Sequence, residues 1–293
     1  MNNRITGGVL VTLFLFVSTT LFSQRFESSI RTYDDNPIPY ANIVFFKAGK
    51  ITGGTYANKH GLAVLYLDTQ ADSIVISAMG FKKKSLKPGH ILAVIHLEID
   101  EVELQEATVF AGEITTDFVG IKKEKPTVSY QGSTGNQMIT LIENTLGVKK
   151  RIKSFSAKIR PSFTKKEAAL KIIFFTNEQG QPGEQLKQEL IVDLRKIQRR
   201  NIVVDLDSLY IFLPPRGLFV GIEWVGCYQG IDSAQTNKQA DCDLSIWCNW
   251  HKEQEILNQT FSRNIFQSSK WYDLNKDMLI DCSLIPVFGL EVY

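Results

Sequence analysis

The residues able to do chemistry are few and widely spaced. The chain has four histidines: His60, His90, His96 and His251. None stands in an H-x-x-E, H-E-x-x-H or H-x-H relation, the spacings that bring two metal ligands to one face of a helix or strand. There is no G-x-S-x-G nucleophile elbow and no phosphate-cradling glycine loop. Asp205 and Asp207, and likewise Asp241 and Asp243, would put two carboxylates on one strand face, where they could meet a calcium ion. Neither pair has the Gly and distal Glu of a calcium loop, so solvated strand ends are the expectation. No residue is assigned to catalysis, cofactor binding or a metal. The chain is expected not to be an enzyme and to need no cofactor.

The cysteines suggest covalent rather than catalytic chemistry. Cys227, Cys242, Cys248 and Cys282 are separated by 15, 6 and 34 positions, which includes no C-x-x-C knuckle for zinc. An even number in an exported chain suggests two disulfides, with Cys227–Cys242 and Cys248–Cys282 favoured and buried free thiols as the alternative.

Two groups of residues could hold a ligand. Tyr228, Trp250, Trp271 and Tyr272, with Trp247 beside them, could form an aromatic platform for sugar rings, and Asn249, His251 and Asp273 could orient them. Trp247 reads first as a core residue, whereas Trp250 and Trp271 suit either role. Eight basic residues (Lys149, Lys150, Arg151, Lys153, Lys158, Arg160, Lys165, Lys166) precede Glu167 without an acidic interruption, and Arg195, Lys196, Arg199 and Arg200 form a second cluster. Such runs can contact anionic polymers. Lys158 and Arg160 alternate with Ala157 and Ile159, however, as the wet face of a strand does. Charge gives no global bias, with 33 basic against 31 acidic residues and a net of +2. Nucleic acid is therefore not an expected partner.

These residues need elements to position them, and the pattern calls for strands throughout. A composition of 44% hydrophobic and 22% charged residues is that of a folded chain, neither disordered nor polytopic. Residues 1–23 stand apart: Arg4, then the apolar run from Val9 to Val17, then Ser23, read as a secretory signal peptide. No later apolar run reaches spanning length, so no transmembrane segment is expected after its removal. Residues 24–110 form the first expected domain. Within it, 26–32, 41–46, 51–57, 62–67, 74–78, 92–97 and 103–109 are short, β-branched or aromatic, and bounded by breakers, the pattern of a seven-stranded antiparallel sandwich. Residues 111–127 contain Gly112, Gly120, Lys122-Lys123-Glu124-Lys125 and Pro126 and read as a linker. From 128 to 293, strand signals at 138–142, 155–160, 170–175, 190–192, 202–206, 218–224, 244–248 and 287–292 suit a second, larger, jelly-roll-like sandwich, with 170–175 central. The fold class is therefore all-β.

Several motifs in the first half carry a resemblance. They are Pro37-Ile38-Pro39-Tyr40-Ala41-Asn42-Ile43, then Gly54-Thr55 with Asn58-Lys59-His60-Gly61, then Asp72-Ser73-Ile74-Val75-Ile76-Ser77-Ala78-Met79-Gly80-Phe81. Leu97 with Val102-Glu103-Leu104-Gln105-Glu106-Ala107-Thr108-Val109 closes the series. In this order they resemble the carboxypeptidase regulatory-like domain, a transthyretin-like sandwich. Arg31-Thr32 and Phe81 depart from that family's usual pattern. The resemblance implies a Gram-negative envelope protein whose first domain contributes assembly or ligand contact without catalytic residues of its own. Residues 170–224 are loosely similar to accessory sandwich domains that follow such domains.

The expectation is thus a non-catalytic exported binding or assembly protein of the periplasm or outer surface. Its partner would be an envelope protein or glycan, or an outer-membrane receptor complex. The alternative is a carbohydrate-active or peptide-hydrolysing enzyme with an unfamiliar site.

Overall fold

In the first third of the chain burial alternates along the strands, as in Asn42–Lys47 and Ser73–Ser77, so each has one face to bury. The structure, a computed structural model, describes residues 24–67, 70–88, 92–100, 115–121, 126–160, 167–193, 201–228, 245–251, 259–276 and 283–293. For residues 24, 167, 168, 227, 228, 250, 251 and 283 only the backbone is described. The leader read at 1–23 and the strand read at 103–109 lie outside these residues.

The first sandwich has β1 (Gln24–Arg31), β2 (Asn42–Lys47), β3 (Lys50–Tyr56), β4 (Leu62–Leu67), β5 (Ser73–Ser77), β6 (Lys84–Leu86) and β7 (Val94–His96). One sheet has the order β4-β1-β7 and the other β3-β2-β5-β6. β1 runs antiparallel to β4 and parallel to β7. Phe26 of one sheet meets Phe45 of the other edge-on, with centroids 5.0 Å apart. Around them Ile30, Ile43, Ile74, Ile76 and Ile95 are buried. The strands at 62–67 and 74–78 fall within a residue of their expected places, whereas Lys84–Leu86 supplies a strand the sequence pattern missed. It has a single apolar residue, Leu86, and joins the sheet through pairing with β5. The turn at Asn58–Gly61 forms as Asn58 Oδ1 accepts the backbone N–H groups of His60 and Leu62.

The larger sandwich begins earlier than its residues suggest. β8 (Asp117–Gly120) pairs with β22 (Phe288–Val292), and Val119 lies in the larger core. The stretch read as a linker is thus in part an edge strand. Two apolar residues between an Asp and a Gly carry too little pattern to reveal it. Then come β9 (Val128–Gln131), β10 (Asn136–Ile142), β11 (Lys150–Arg160), β12 (Glu167–Glu178), β13 (Gln181–Gln185), β14 (Leu190–Asp193) and β15 (Asn201–Asp205). The rest are β16 (Phe212–Leu213), β17 (Leu218–Tyr228), β18 (Ser245–His251), β19 (Thr260–Asn264), β20 (Tyr272–Asp273) and β21 (Ser283–Pro286). A 3-10 turn at Asp207–Leu209 separates β15 from β16. No described helix is long and apolar enough to cross a membrane.

One sheet runs β13-β12-β17-β10-β19-β20, and the other runs β21-β18-β11-β22-β8. Both faces of β12 are covered, Leu170, Ile172 and Phe174 by the interior and Ile173 and Phe175 by an outer apolar cluster, which is why residues 170–175 are apolar apart from Lys171. Leu170, Ile172 and Phe174 point inward with Val220, Ile222 and Trp224 to meet Phe155, Ile246 and Phe288 of the facing sheet. The alternate residues Ala169, Lys171, Ile173 and Phe175 must therefore face outward. That outer face is where the first sandwich docks.

Candidate functional site

The outer face of β12, β17, β10 and β19 has three zones. At one end Ile139, Leu141, Ile173, Phe175, Phe219 and Phe261 form a buried apolar cluster, with Trp271 against it. At the other end Ala169, Val225 and Phe266 are buried with Tyr56, and Tyr40 and Val44 pack on them. Tyr40, Val44 and Tyr56 belong to the first sandwich, so this second cluster is shared by both. Asn42 stands opposite Tyr56, and Val44 opposite Gly54, in the β2–β3 ladder. These four residues share the sheet face that meets the larger sandwich. Gly54 is required there, because a Cβ on it would fall 2.0 Å from Phe266 Cδ1 and 2.7 Å from the carbonyl oxygen of Ile43.

Between the zones lies a line of buried polar groups. Lys171 Nζ is 3.2 Å from Glu189 Oε1 and 3.6 Å from Glu223 Oε1. Tyr56 Oη donates to Glu223 Oε1 at 2.9 Å, reaching across from the first sandwich. Gln137 Nε2 donates to Glu223 Oε2, and Gln137 Oε1 accepts from Arg263 Nε at 2.7 Å. Lys171 and Glu223 are each 3% exposed. Two cations and two carboxylates alternate, so the line is neutral as a whole and each charge has an opposite neighbour. Burial works against the Lys171 ammonium, but Glu223 and Glu189 together outweigh it and hold its pKa above the ordinary lysine value. Burial pushes the Glu189 carboxyl up against the pull of Lys171, with Glu223 adding to the rise. Burial pushes Arg263 down to about 10, opposed by Glu223, so it stays protonated at neutral pH.

A second fastening lies beside the first. Lys187 Nζ pairs with Asp100 Oδ2 at 3.1 Å, and the backbone N–H of Glu189 donates to Met79 Sδ at 3.4 Å. Both partners, Asp100 and Met79, are in the first sandwich. The segment that brings Glu189 to Lys171 is thereby tied to both bodies.

The same line ends at the aromatic residues. The Arg263 guanidinium sits 4.0 Å from the Trp271 ring centroid and 5.4 Å from that of Phe175. Phe175 meets Trp271 edge-on at 5.2 Å. Trp271 is thus a half-buried pillar that shields Arg263. Tyr272 is 54% exposed and stands opposite Ser262, whose side chain hydrogen-bonds Tyr130 Oη. Successive strand residues point to opposite faces, so Trp271 and Tyr272 do not form one flat platform. Asp273 is buried and caps the backbone N–H of Asn275 at 3.0 Å. The side chains of Tyr228, Trp250 and His251 lie outside the described residues. Trp247 is half-buried, and Asn249 beside it is buried with its Oδ1 unpartnered.

The remaining residues singled out by type fall apart in space. His60 is exposed in its turn, and His96 stacks on Tyr33 at 5.5 Å. Asp205 Oδ1 accepts the backbone N–H of Asp207, and Asp207 pairs with Arg151 at 2.9 Å, so these carboxylates already have partners. His90, Asp241, Asp243, Lys165, Lys166, Arg195, Lys196, Arg199 and Arg200 lie outside the described residues. Among the described residues no three metal-ligating side chains converge.

The disulfide expectation is corrected at Cys248, which is a buried free thiol. It alternates inward with Ile246 into the larger core, where burial pushes its pKa up to about 12. Cys248 therefore does not form the Cys248–Cys282 bridge. Cys242, Cys282 and the side chain of Cys227 lie outside the described residues.

Lys171, Glu189, Glu223, Gln137 and Arg263 were not found from the sequence. Lys171 and Glu223 each interrupt an apolar strand, and that interruption was the available signal. A comparison with protein-family models finds no match, and a comparison with curated protein sequences finds none either.

Proposed function

We propose that this chain is a non-catalytic binding or assembly protein of the bacterial cell envelope, with a first sandwich of the carboxypeptidase regulatory-like kind. Its leader-like first residues support export. The observation that carries the reading is the joint: Tyr56 donates to Glu223 across a buried, charge-neutral line that ties the two sandwiches together. A buried line of charges costs desolvation and gives specificity of docking in return. Such a joint makes one surface from two sandwiches, which suits a protein whose work is to hold a partner in a fixed relation. The line itself is too buried to reach a substrate. An envelope protein, a glycan or an outer-membrane receptor complex remains the partner class in this reading.

The test is a crosslinking pull-down from intact envelopes, run with the native chain and with Tyr56→Phe/Glu223→Gln. A stoichiometric protein partner captured by the native chain and weakened by the double variant is the expected result. Hydrolysis of envelope glycan or peptide by the purified chain would replace this reading with an enzymatic one. A chain that fractionates with cytoplasmic markers would remove the envelope.

A further inference from the structure

One edge of the larger sandwich carries backbone groups that no described strand takes up. β15 joins its sheet through β11 alone, with Phe155 opposite Val204 and Ser156 opposite Val203. The Leu206 N–H donates to the Lys153 carbonyl oxygen at 2.8 Å, which sets the phase of that ladder. Ile202 and Val204 therefore turn their backbone groups toward β11, and Asn201, Val203 and Asp205 turn theirs away. Other edges are guarded. The Lys84 ammonium donates to the His96 carbonyl oxygen of β7 at 2.8 Å, β13 contains Pro182, and β21 ends on Pro286. The central Ile202-Val203-Val204 of β15 has no proline, no lysine and no bulge, and Val203 is 68% exposed.

That edge is complementary to itself. Two copies of β15 laid antiparallel about a twofold axis at Val203 bring Val203 opposite Val203 and Asn201 opposite Asp205. These are the residues whose backbone groups point outward, so each exchanges both hydrogen bonds with the residue it meets. Ile202 then lies opposite Val204 on the inner side, where Ile202 is in the core and Val204 packs against it. The side chains agree with the backbone. Asp205 Oδ1 already accepts the Asp207 N–H, and the other carboxylate oxygen can accept from the Asn201 amide of the second copy. Glu291, Ser154 and Asp205 stand abreast at one end of the ladder, and Lys158 and Asn201 at the other. The axis sets the acidic end of one copy beside the basic end of the other. A shift of two residues either way would put Val203 opposite Asn201 or Asp205 and leave outward groups unpaired.

We infer that β15 is where two copies of this chain join, through a sheet that runs on from one larger sandwich into the other. Pairing of a strand with its own copy is closed by a twofold axis and satisfies the backbone of both edges at once. A ladder of five residues is small beside the roughly 800 Å² per partner of a stable interface, so the dimer is a reversible one. The first sandwich docks on the sheet that contains β12, not on the sheet that contains β15, so both copies keep their joint. This inference goes beyond the binding reading above and does not rest on it. A dimer would present any binding surface twice.

The experiment is sedimentation velocity of the full chain over a wide range of concentration, with reductant present to exclude cysteine crosslinks. Three variants accompany it: Val203→Lys, Asn201→Asp and Asn201→Lys. Both positions are exposed, so thermal unfolding of the dilute variants should match that of the native chain. The native chain should pass from monomer to dimer as concentration rises. Val203→Lys sets two ammonium groups face to face on the axis and should weaken the dimer about tenfold. Asn201→Asp sets carboxylate against carboxylate and should weaken it about fivefold, whereas Asn201→Lys sets ammonium against carboxylate and should tighten it by about the same factor. Opposite signs at one position are the mark of this register. A native chain that stays monomeric throughout overturns the inference. So does a dimer that Val203→Lys leaves as tight as before, which would place the contact on another surface, or an equal loss from both Asn201 variants.

Discussion

The interior of the larger sandwich and the joint between the sandwiches are both buried, yet they are made of opposite materials. The interior joins Leu170, Ile172, Phe174, Trp224, Phe155 and Phe288 across two sheets with no ionised group among them. The joint puts Lys171 and Glu223 on the reverse side of two of the same strands, with Arg263 of β19 and Glu189 of the segment before β14 beside them. Phe174 and Lys171 lie on one strand, three residues apart, and face opposite ways. An apolar interior tolerates many packings of similar volume. A line of alternating charges has few arrangements that satisfy every member, so it fixes how one sandwich sits on the other. Stability and docking are thus handled by the two faces of one sheet.

The largest expected effects separate these materials directly. Lys171→Met leaves Glu189 and Glu223 buried without their cation and should cost about 3–5 kcal/mol in denaturant unfolding. Phe174→Ala should cost a similar amount, about 3–5 kcal/mol, through the cavity it opens. The two losses differ in how they are repaired. Adding Glu189→Gln to Lys171→Met removes the surplus carboxylate and leaves Glu223 opposite Arg263, which should recover much of the loss, whereas the same change added to Phe174→Ala should recover none. Equal behaviour of the two backgrounds would mean that the joint is ordinary core.

A smaller effect is expected at Tyr56. Tyr56→Phe keeps the ring against Phe266, whose centroid lies 5.0 Å away, and removes only the hydroxyl that donates to Glu223. A hydrogen bond to a charged group contributes about 1.5–3 kcal/mol. The loss should show as faster proteolysis between the sandwiches, with the midpoint of the larger sandwich little changed. A shift of that midpoint as large as the one from Lys171→Met would place Tyr56 in the core rather than at the joint.

Cys248 offers a probe of the interior alone. With its pKa pushed up to about 12 by burial, its thiol should resist alkylation at neutral pH until the sandwich opens globally. Residue-resolved labelling should find Cys248 equally protected in the native chain and in Tyr56→Phe. Rapid labelling in Tyr56→Phe would show that loosening the joint also loosens the core.

The two materials were also unequally legible in the sequence. Short β-branched or aromatic runs bounded by breakers, as at 41–46 and 74–78, gave the strands, and the apolar run at 170–175 gave a central one. The all-β class and the order of a smaller and a larger sandwich followed from them. Short strands such as Phe212–Leu213 and Tyr272–Asp273 were missed, since two residues carry no period. The joint was missed for another reason. Glu189, Lys171, Glu223, Gln137 and Arg263 come from five separate stretches, and only the sheet order brings them together. The pairing expected of Cys248 differs from the structure because an even number of cysteines says nothing of direction, and Cys248 points inward as a free thiol.

The smallest effect tests whether surface charge clusters behave like the joint. Tyr293 Oη donates to Asp207 Oδ1, and Arg151 Nη2 lies 2.9 Å from the same oxygen, with its guanidinium 5.6 Å from the Tyr293 ring centroid. Burial and the hydrogen bond to Asp207 push the phenol up to about 12, opposed by Arg151. The folded value thus lies above the unfolded value of 10.0. The stabilisation is complete below the unfolded value and is lost as pH rises from about 10 to about 12. Tyr293→Phe should flatten the fall in stability across that window and remove one late-ionising hydroxyl from the near-ultraviolet titration. Its effect at neutral pH should be small, because Asp207 keeps Arg151 and solvent screens the cluster. Ionisation of Tyr293 near its unfolded value of 10.0 would show that Asp207 does not hold its proton. Alternating charge would then confer rigidity only where water is excluded, as it is between the sandwiches.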